Sequence, residues 1–225
     1  MKLVDIYLEP AKVFAAERER PTVLLPIAVM VVVSAAMILA YFLRVDAAWF
    51  QDFQLTMGGQ EMTAAEIAQA KQFMPSAKTQ GYIGAASAVL FVPIMYAIFG
   101  LYYLLAGKIA GAPLTFKHGL SLAAWGSMPG VLGLIVGFVG ALTMAPQTPQ
   151  HSLMLTHVDP LLVQLPFDHA MSGIAKGFDL LVVWSIALGA IGWKAFTRSG
   201  WGAAVFVAAL PSVLIYGIWL LIALL

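Results

Sequence analysis

No cysteine occurs among the 225 residues. Disulfides, thiolate metal sites, cysteine nucleophiles and iron–sulfur clusters are therefore excluded. Charge is scarce as well. Asp, Glu, Lys and Arg make up 10% of the chain, against about 25% in soluble domains. The formal net charge is +1 and no run of Lys or Arg occurs, so nucleic acid is not an expected partner. No Walker loop, GxSxG elbow or dinucleotide fingerprint is present. The chain therefore reads as a non-enzyme with no cofactor.

What the chain does have is apolar side chains. They account for 61% of it, and the mean hydropathy is +0.90. A fold of this size with so few charges belongs in a lipid bilayer, which is the first expected partner. The apolar stretches are long and continuous rather than the ~10-residue alternating segments of a β-barrel. The expected fold class is all-α: a polytopic membrane protein, a bundle of five transmembrane helices with short amphipathic interfacial helices.

The rare charges serve as punctuation. Thr79 to Gly107 is a run of 29 uncharged residues, and Gly119 to Gln150 one of 32; a helix needs ~20 to cross the hydrocarbon core. On this basis the predicted spans are 22–43, 81–106, 119–144, 174–193 and 203–224, within one domain covering 1–225. The first 20 residues hold four bases and four acids, which does not fit a cleaved signal peptide.

Lys2, Lys12, Arg18, Arg20, Lys108, Lys117, Lys194 and Arg198 fall on one side of that topology. Arg44, Lys71, Lys78 and Lys176 fall on the other. The bias places the N-terminus in the cytoplasm and the C-terminus outside, in an inner (cytoplasmic) membrane.

Residues 1–21 are expected to form a cytoplasmic interfacial segment. Pro10 is suited to a first helical position, Val13, Phe14, Ala15 and Ala16 supply an apolar side, and Glu17 to Arg20 form a wet end. In the segment 44–79, Thr63-Ala64-Ala65-Glu66 is a capping-box pattern. It predicts a second amphipathic helix that Pro75 ends, with Gly58-Gly59 as the preceding turn. The segment 145–173 carries Pro146, Pro149, Pro160 and Pro166 and is expected to be irregular or only briefly helical.

That last segment also holds the residues closest to a metal-ligand set: His151, His157 and His169 with Asp159 and Asp168. Imidazole with carboxylate suits Zn, Ni or Mn, but no spacing matches a known ligand pattern, and the expectation is no metal site. Asp179 is the one acid inside a predicted span. An intramembrane acid is a candidate for function, while Lys176, three residues earlier, is placed to pair with it on one helical face.

Pro93, Pro129 and Pro211 lie inside spans, where each frees a backbone carbonyl. Ser127-Met128-Pro129-Gly130 is the strongest predicted break. Gly126/Gly130 and Gly133/Gly137 are GxxxG pairs that let helices approach closely, within the chain or in a homo-oligomer. The six tryptophans fall mostly near predicted span ends, as in aromatic belts.

Three stretches carry a family resemblance. Val4-Asp5-Ile6-Tyr7-Leu8-Glu9-Pro10, continuing through Phe14 to Arg20-Pro21, resembles the segment that precedes span 1 in the Yip (Ypt/Rab-interacting protein) membrane domain. Leu104 to Pro129 is similar to that family's helix end, glycine turn, Thr-Phe pair and following proline. Phe178 to Trp193 resembles its Phe…Trp…Gly span. The resemblance implies a five-helix bundle with a cytoplasmic N-terminus, and the compact loops are similar to the bacterial branch. Eukaryotic members act in vesicle traffic with small GTPases.

Two functional readings follow. The first is a membrane-embedded scaffold or adaptor. It binds other membrane proteins through its glycine faces, the N-terminal helix or the loop at 107–118. The alternative is a small transporter, channel or lipid-handling protein with a kinked-helix cavity, opened at Pro93, Pro129 and Pro211.

Overall fold

The computed structural model describes residues 2–57 and 62–225. The predicted turn at Gly58-Gly59 lies outside the described residues. Eleven α-helices are formed among them: α1 Lys2–Leu8, α2 Pro10–Glu19, α3 Leu24–Arg44, α4 Ala47–Thr56, α5 Ala64–Phe73, α6 Ala77–Ile109, α7 Phe116–Gly126, α8 Pro129–Thr143, α9 Ser172–Gly177, α10 Leu181–Thr197 and α11 Trp201–Leu224. No strand of a sheet is present among the described residues, so the all-α expectation holds.

Three of these helices, α3, α6 and α11, are each long and apolar enough to cross a membrane. The pair α7 and α8 meets the same test jointly, although it is bent by 44°. The predicted span 119–144 is therefore a broken helix, interrupted where Pro129 was expected to break it. The predicted span 174–193 is also interrupted. Helix α9 stops at Gly177, Phe178 is extended, and α10 starts at Leu181. Pro93 and Pro211 stay inside α6 and α11, which run on through them.

The chain divides into two compact units. The first comprises Met1–Val32, Val89–Leu132 and Leu180–Trp219; the second comprises Val33–Ala88, Gly133–Asp179 and Leu220–Leu225.

In the first unit, prolines set the breaks of the N-terminal segment. A residue before proline is driven out of the α region. Glu9 accordingly leaves the helix before Pro10, and Arg20 leaves it before Pro21. One expected helix becomes two, folded back so that Lys2 and Glu17 touch. The pair packs along α7 and α10. Tyr7 meets Trp184 with ring centroids 5.6 Å apart, and Phe14 meets Phe196 at 6.3 Å. Trp184 and Phe196 are ~18 Å apart along α10 at 1.5 Å per residue. Ile6, Val13, Phe14 and Glu17 are all buried. This corrects the expected wet end: Glu17 is 0% exposed.

Helix α7 is the centre of this unit, with Ser121 to Gly126 buried without interruption. Trp125 and Trp193 are fully buried core residues rather than belt residues. The Trp125 indole Nε1 donates to the Thr22 carbonyl at 3.0 Å, since a buried indole N–H needs an acceptor. Between α6 and α7, Gly111 takes φ +66°, which glycine adopts without strain. The Ala112 amide then reaches back to the Gly107 carbonyl at 2.8 Å.

The second unit has its own apolar core of Tyr41, Val45, Phe50, Ala77, Ala141 and Leu153. Tyr41, Phe42 and Phe50 pack edge to face in a triangle, with centroid separations of 5.1 to 6.0 Å. Helix α5 starts where the capping box predicted, with Thr63 and Glu66 each accepting from the other's backbone amide. Helix α4 was not anticipated; Asp46 caps it by accepting from the Trp49 amide at 2.8 Å. The segment 145–173 is short-turned as expected, with a 3-10 turn at Gln150–Leu153 and a π-type turn at Asp159–Val163.

Candidate functional site

Two polar networks carry the chemistry, one in each unit. The first surrounds Glu17. Its Oε1 receives the Lys2 ammonium at 2.7 Å and the Thr22 hydroxyl at 2.7 Å. Its Oε2 receives the Thr22 amide at 2.5 Å and the Ser121 hydroxyl at 2.7 Å. A buried carboxylate must be neutralised or satisfied. Burial alone would raise its pKa. The donors from Lys2, Thr22 and Ser121 outweigh that, and the net shift is downward. Glu17 is thus a charged staple joining α1, the start of α3 and α7.

His118 completes the attachment of α2. It stands at the third position of α7 in an unusual capping box, its Nδ1 receiving the Thr115 amide at 3.2 Å. Its Nε2 lies 3.1 Å from the Arg18 carbonyl. An amide can only donate and a carbonyl can only accept, so Nδ1 accepts and Nε2 donates in this arrangement.

The break between α7 and α8 lies in the same unit. Two tyrosines fill it. Tyr7 Oη donates to the Met128 carbonyl at 2.7 Å. Tyr96 Oη, from α6, lies 2.6 Å from Ser127 Oγ, and Ser127 Oγ donates to the Ala124 carbonyl at 3.1 Å. Pro129, at the head of α8, is fully buried. A third tyrosine, Tyr102, donates to the Val207 carbonyl, 2.6 Å away, four residues before Pro211.

The second network surrounds Lys176. Its ammonium lies 3.6 Å from Asp159 Oδ1 and donates to the Leu165 carbonyl at 2.7 Å. It also donates to Ser172 Oγ and sits 4.4 Å from the Phe167 ring centroid. Asp159 and Lys176 side chains are only 4% and 12% exposed. Asp159 also accepts from the Leu165 amide at 2.7 Å, closing the turn in which Gln164 takes φ +52°.

The predicted metal candidates are not gathered into a ligand set. His157 Nδ1 lies 2.6 Å from the Lys176 carbonyl. His169 Nδ1 accepts from the Met171 amide, and Asp168 is exposed. His151 stands edge-on to Phe167 at 4.9 Å. Burial and the nearby Lys176 charge lower its pKa, against a smaller opposing effect of Asp159. No group of three or more His, Asp or Glu suited to a metal ion occurs among the described residues.

Asp179 stands between α9 and α10, in an isolated bridge with His157. The expected shared helical face with Lys176 is absent, because α9 ends at Gly177. The glycine candidates are covered by this chain. A Cβ on Gly126 would lie 3.6 Å from the backbone of Gly189, and one on Gly137 3.0 Å from Met154 Sδ. Gly130 has only the Met30 methyl at 3.9 Å, and Gly133 is buried. The tightest approach is one that the GxxxG pattern did not flag. A Cβ on Gly119 would run into the carbonyl oxygen of Gly100.

Sequence reading missed Glu17, Tyr7, Tyr96 and Asp159 as organising groups. A family model described as Yip1 domain matches residues 4–223. A curated relative, the membrane protein YknW of Bacillus subtilis (strain 168), is 25% identical over 215 residues, covering 91% of this chain and 84% of the relative. No solved structure matches. With its family match running over nearly its whole length, and its apolar helices, the chain belongs to the Yip1 domain family of membrane proteins.

Proposed function

We propose that the chain is a non-enzymatic adaptor of the inner membrane that holds other membrane proteins. In this reading it spans the bilayer five times, with the N-terminus in the cytoplasm and the C-terminus outside. The bent α7–α8 pair supplies the third span. Helix α10 supplies the fourth; this apolar helix of 17 residues covers ~26 Å, close to the ~30 Å hydrocarbon core. The excess of Lys and Arg on one side supports the orientation.

One observation carries the choice of adaptor over transporter. Broken helices in transporters leave backbone groups open to an ion or substrate. Here the break at Ser127–Met128 is filled by the hydroxyls of Tyr7 and Tyr96. Gly126 and Gly137 are already covered by this chain. That leaves the N-terminal helix pair and the 107–118 loop as docking faces. Leu8 is 75% exposed on α1 and Ile109 90% exposed at the end of α6, which runs into the expected 107–118 loop and leaves only 110–115 outside α6 and α7.

The test is purification in native-lipid nanodiscs with mass spectrometry of everything retained. The adaptor reading expects a stoichiometric membrane protein that is lost from Leu8→Glu and Ile109→Glu variants. A retained solute with no protein, and a solute flux in proteoliposomes that Asp179→Asn changes, would replace it with the transport reading.

A further inference from the structure

The two units differ sharply in charge. The first carries eight Lys and Arg against four Asp and Glu, and the second four against seven. In the first unit the acids are largely engaged. Glu17 is consumed by Lys2, Thr22 and Ser121, and Glu9 pairs with Lys12 at 3.0 Å. The bases are not. Among the described residues, Arg18, Arg20, Lys117 and Arg198 take part in no ion pair.

Three helix ends that carry Arg18, Lys117 and Arg198 meet. The Arg18 carbonyl, in the last turn of α2, meets His118 in the first turn of α7. The His118 ring meets Phe196, in the last turn of α10, with centroids 5.8 Å apart. Lys117 adjoins His118, and Lys194 and Arg198 flank Phe196 on either side. Arg198 is exposed at a left-handed position that ends α10. Two acids adjoin Arg18 in sequence: Glu17, buried and consumed as above, and the exposed Glu19.

Apolar side chains are interleaved with the bases. Phe116 is 43% exposed beside Lys117. Trp201, 56% exposed, opens the apolar helix α11 and carries Lys194 at 5.3 Å above its ring. A protein surface of bases among exposed aromatic rings, at the end of a membrane-length helix, matches the headgroup layer. Basic clusters there attract acidic lipid, and interfacial aromatics anchor at the same depth.

We propose that Arg18, Lys117 and Arg198 form a binding site for the phosphodiester headgroup of an anionic glycerophospholipid, flanked by Phe116 and Trp201. The site lies on the same N-terminal pair and 107–118 segment as the proposed docking faces but uses their bases rather than Leu8 and Ile109, so the variants of the two tests do not overlap. Arg18 attaches α2 through its carbonyl and not its guanidinium, so Arg18→Gln leaves that attachment in place.

The test reconstitutes the full chain in nanodiscs of equal phosphatidylglycerol and phosphatidylcholine and reads retained lipid by native mass spectrometry. Wild type should retain phosphatidylglycerol several-fold over phosphatidylcholine. The triple variant Arg18→Gln/Lys117→Gln/Arg198→Gln should return to the bulk ratio with an unchanged melting temperature in pure phosphatidylcholine. Arg44→Gln/Lys78→Gln should keep the enrichment. Equal retention in wild type and the triple variant would overturn the proposal. So would loss of the enrichment on adding free glycerol phosphate, which would make the site one for a soluble anion. Release of an acidic protein by the triple variant, with retained lipid unchanged, would overturn it in favour of a protein partner.

Discussion

The phenol of Tyr7 donates to the backbone carbonyl of Met128 at 2.7 Å, a bond that joins residues 121 positions apart. It ties the first helix of the chain to the one break in α7–α8. Such a bond contributes about 1 kcal/mol net. Tyr7→Phe should therefore lower stability by about that amount while keeping the ring packed on Trp184. Thermal unfolding in detergent, with limited proteolysis of the N-terminal segment, would register it.

Glu17 should be far less tolerant. Removing a charged acceptor from buried donors costs about 2–3 kcal/mol, so Glu17→Ala should release α1 and α2 from α7. The pH dependence has a definite sign. The folded-state pKa is depressed. The stabilisation is therefore complete above the ordinary carboxylate range and is lost as the pH falls through the folded value. Hydrogen exchange of α1 and α2 between pH 7 and pH 3 should show early opening in wild type and no such acid step in Glu17→Ala.

Two glycine substitutions should separate close packing from ordinary contact. Gly119→Ala sets a methyl group against the backbone oxygen of Gly100, which cannot move aside as a side chain can. It should cost about 1–3 kcal/mol or more. Gly126→Ala meets its neighbours at 3.6 Å and should cost little. Melting temperatures of the two variants in one detergent would decide it.

The Asp159–Lys176 pair should behave as a buried ion pair. Asp159→Ala strands a lysine whose side chain is 12% exposed, at a cost of about 3–5 kcal/mol. Asp159→Ala/Lys176→Met should recover much of that loss. A double-mutant cycle on unfolding free energy would measure the coupling.

His151 should add a second acid sensitivity. Its lowered pKa means that the folded chain favours the neutral ring. Its contribution is present above the unfolded pKa of about 6.5 and declines as the pH falls towards the folded value. His151→Gln should remove the dependence near pH 6 from thermal unfolding curves.

The apolar helices were legible in the sequence because uncharged runs of that length have few alternatives. The break before Pro129, the start at Pro10 and the cap at Thr63 were legible because each rests on local backbone chemistry. Helix α4 carries a local signal, Asp46 as cap with aromatic residues behind it. Glu17 was not legible. It sits in a Glu-Arg-Glu-Arg run that looks solvated, and its burial depends on Ser121, 104 positions away. Lys176 was assigned to Asp179 on the assumption of an unbroken helix. The chain leaves the helix at Phe178, and Lys176 turns to Asp159 instead. The approach of Gly119 to Gly100 lies between two helices, where a motif read along one helix gives no warning.

The helix pair at the start of the chain has a consequence for biogenesis. It is synthesised before the residues it packs on, Ser121, Met128, Trp184 and Phe196. Glu17 cannot leave water before Ser121 exists to receive it, and Phe14 has no aromatic neighbour until α10 is complete. Domains are commonly finished in the order in which they leave the ribosome; here α1 and α2 have to wait for α7 and α10, so their docking reports that those two helices are already in place.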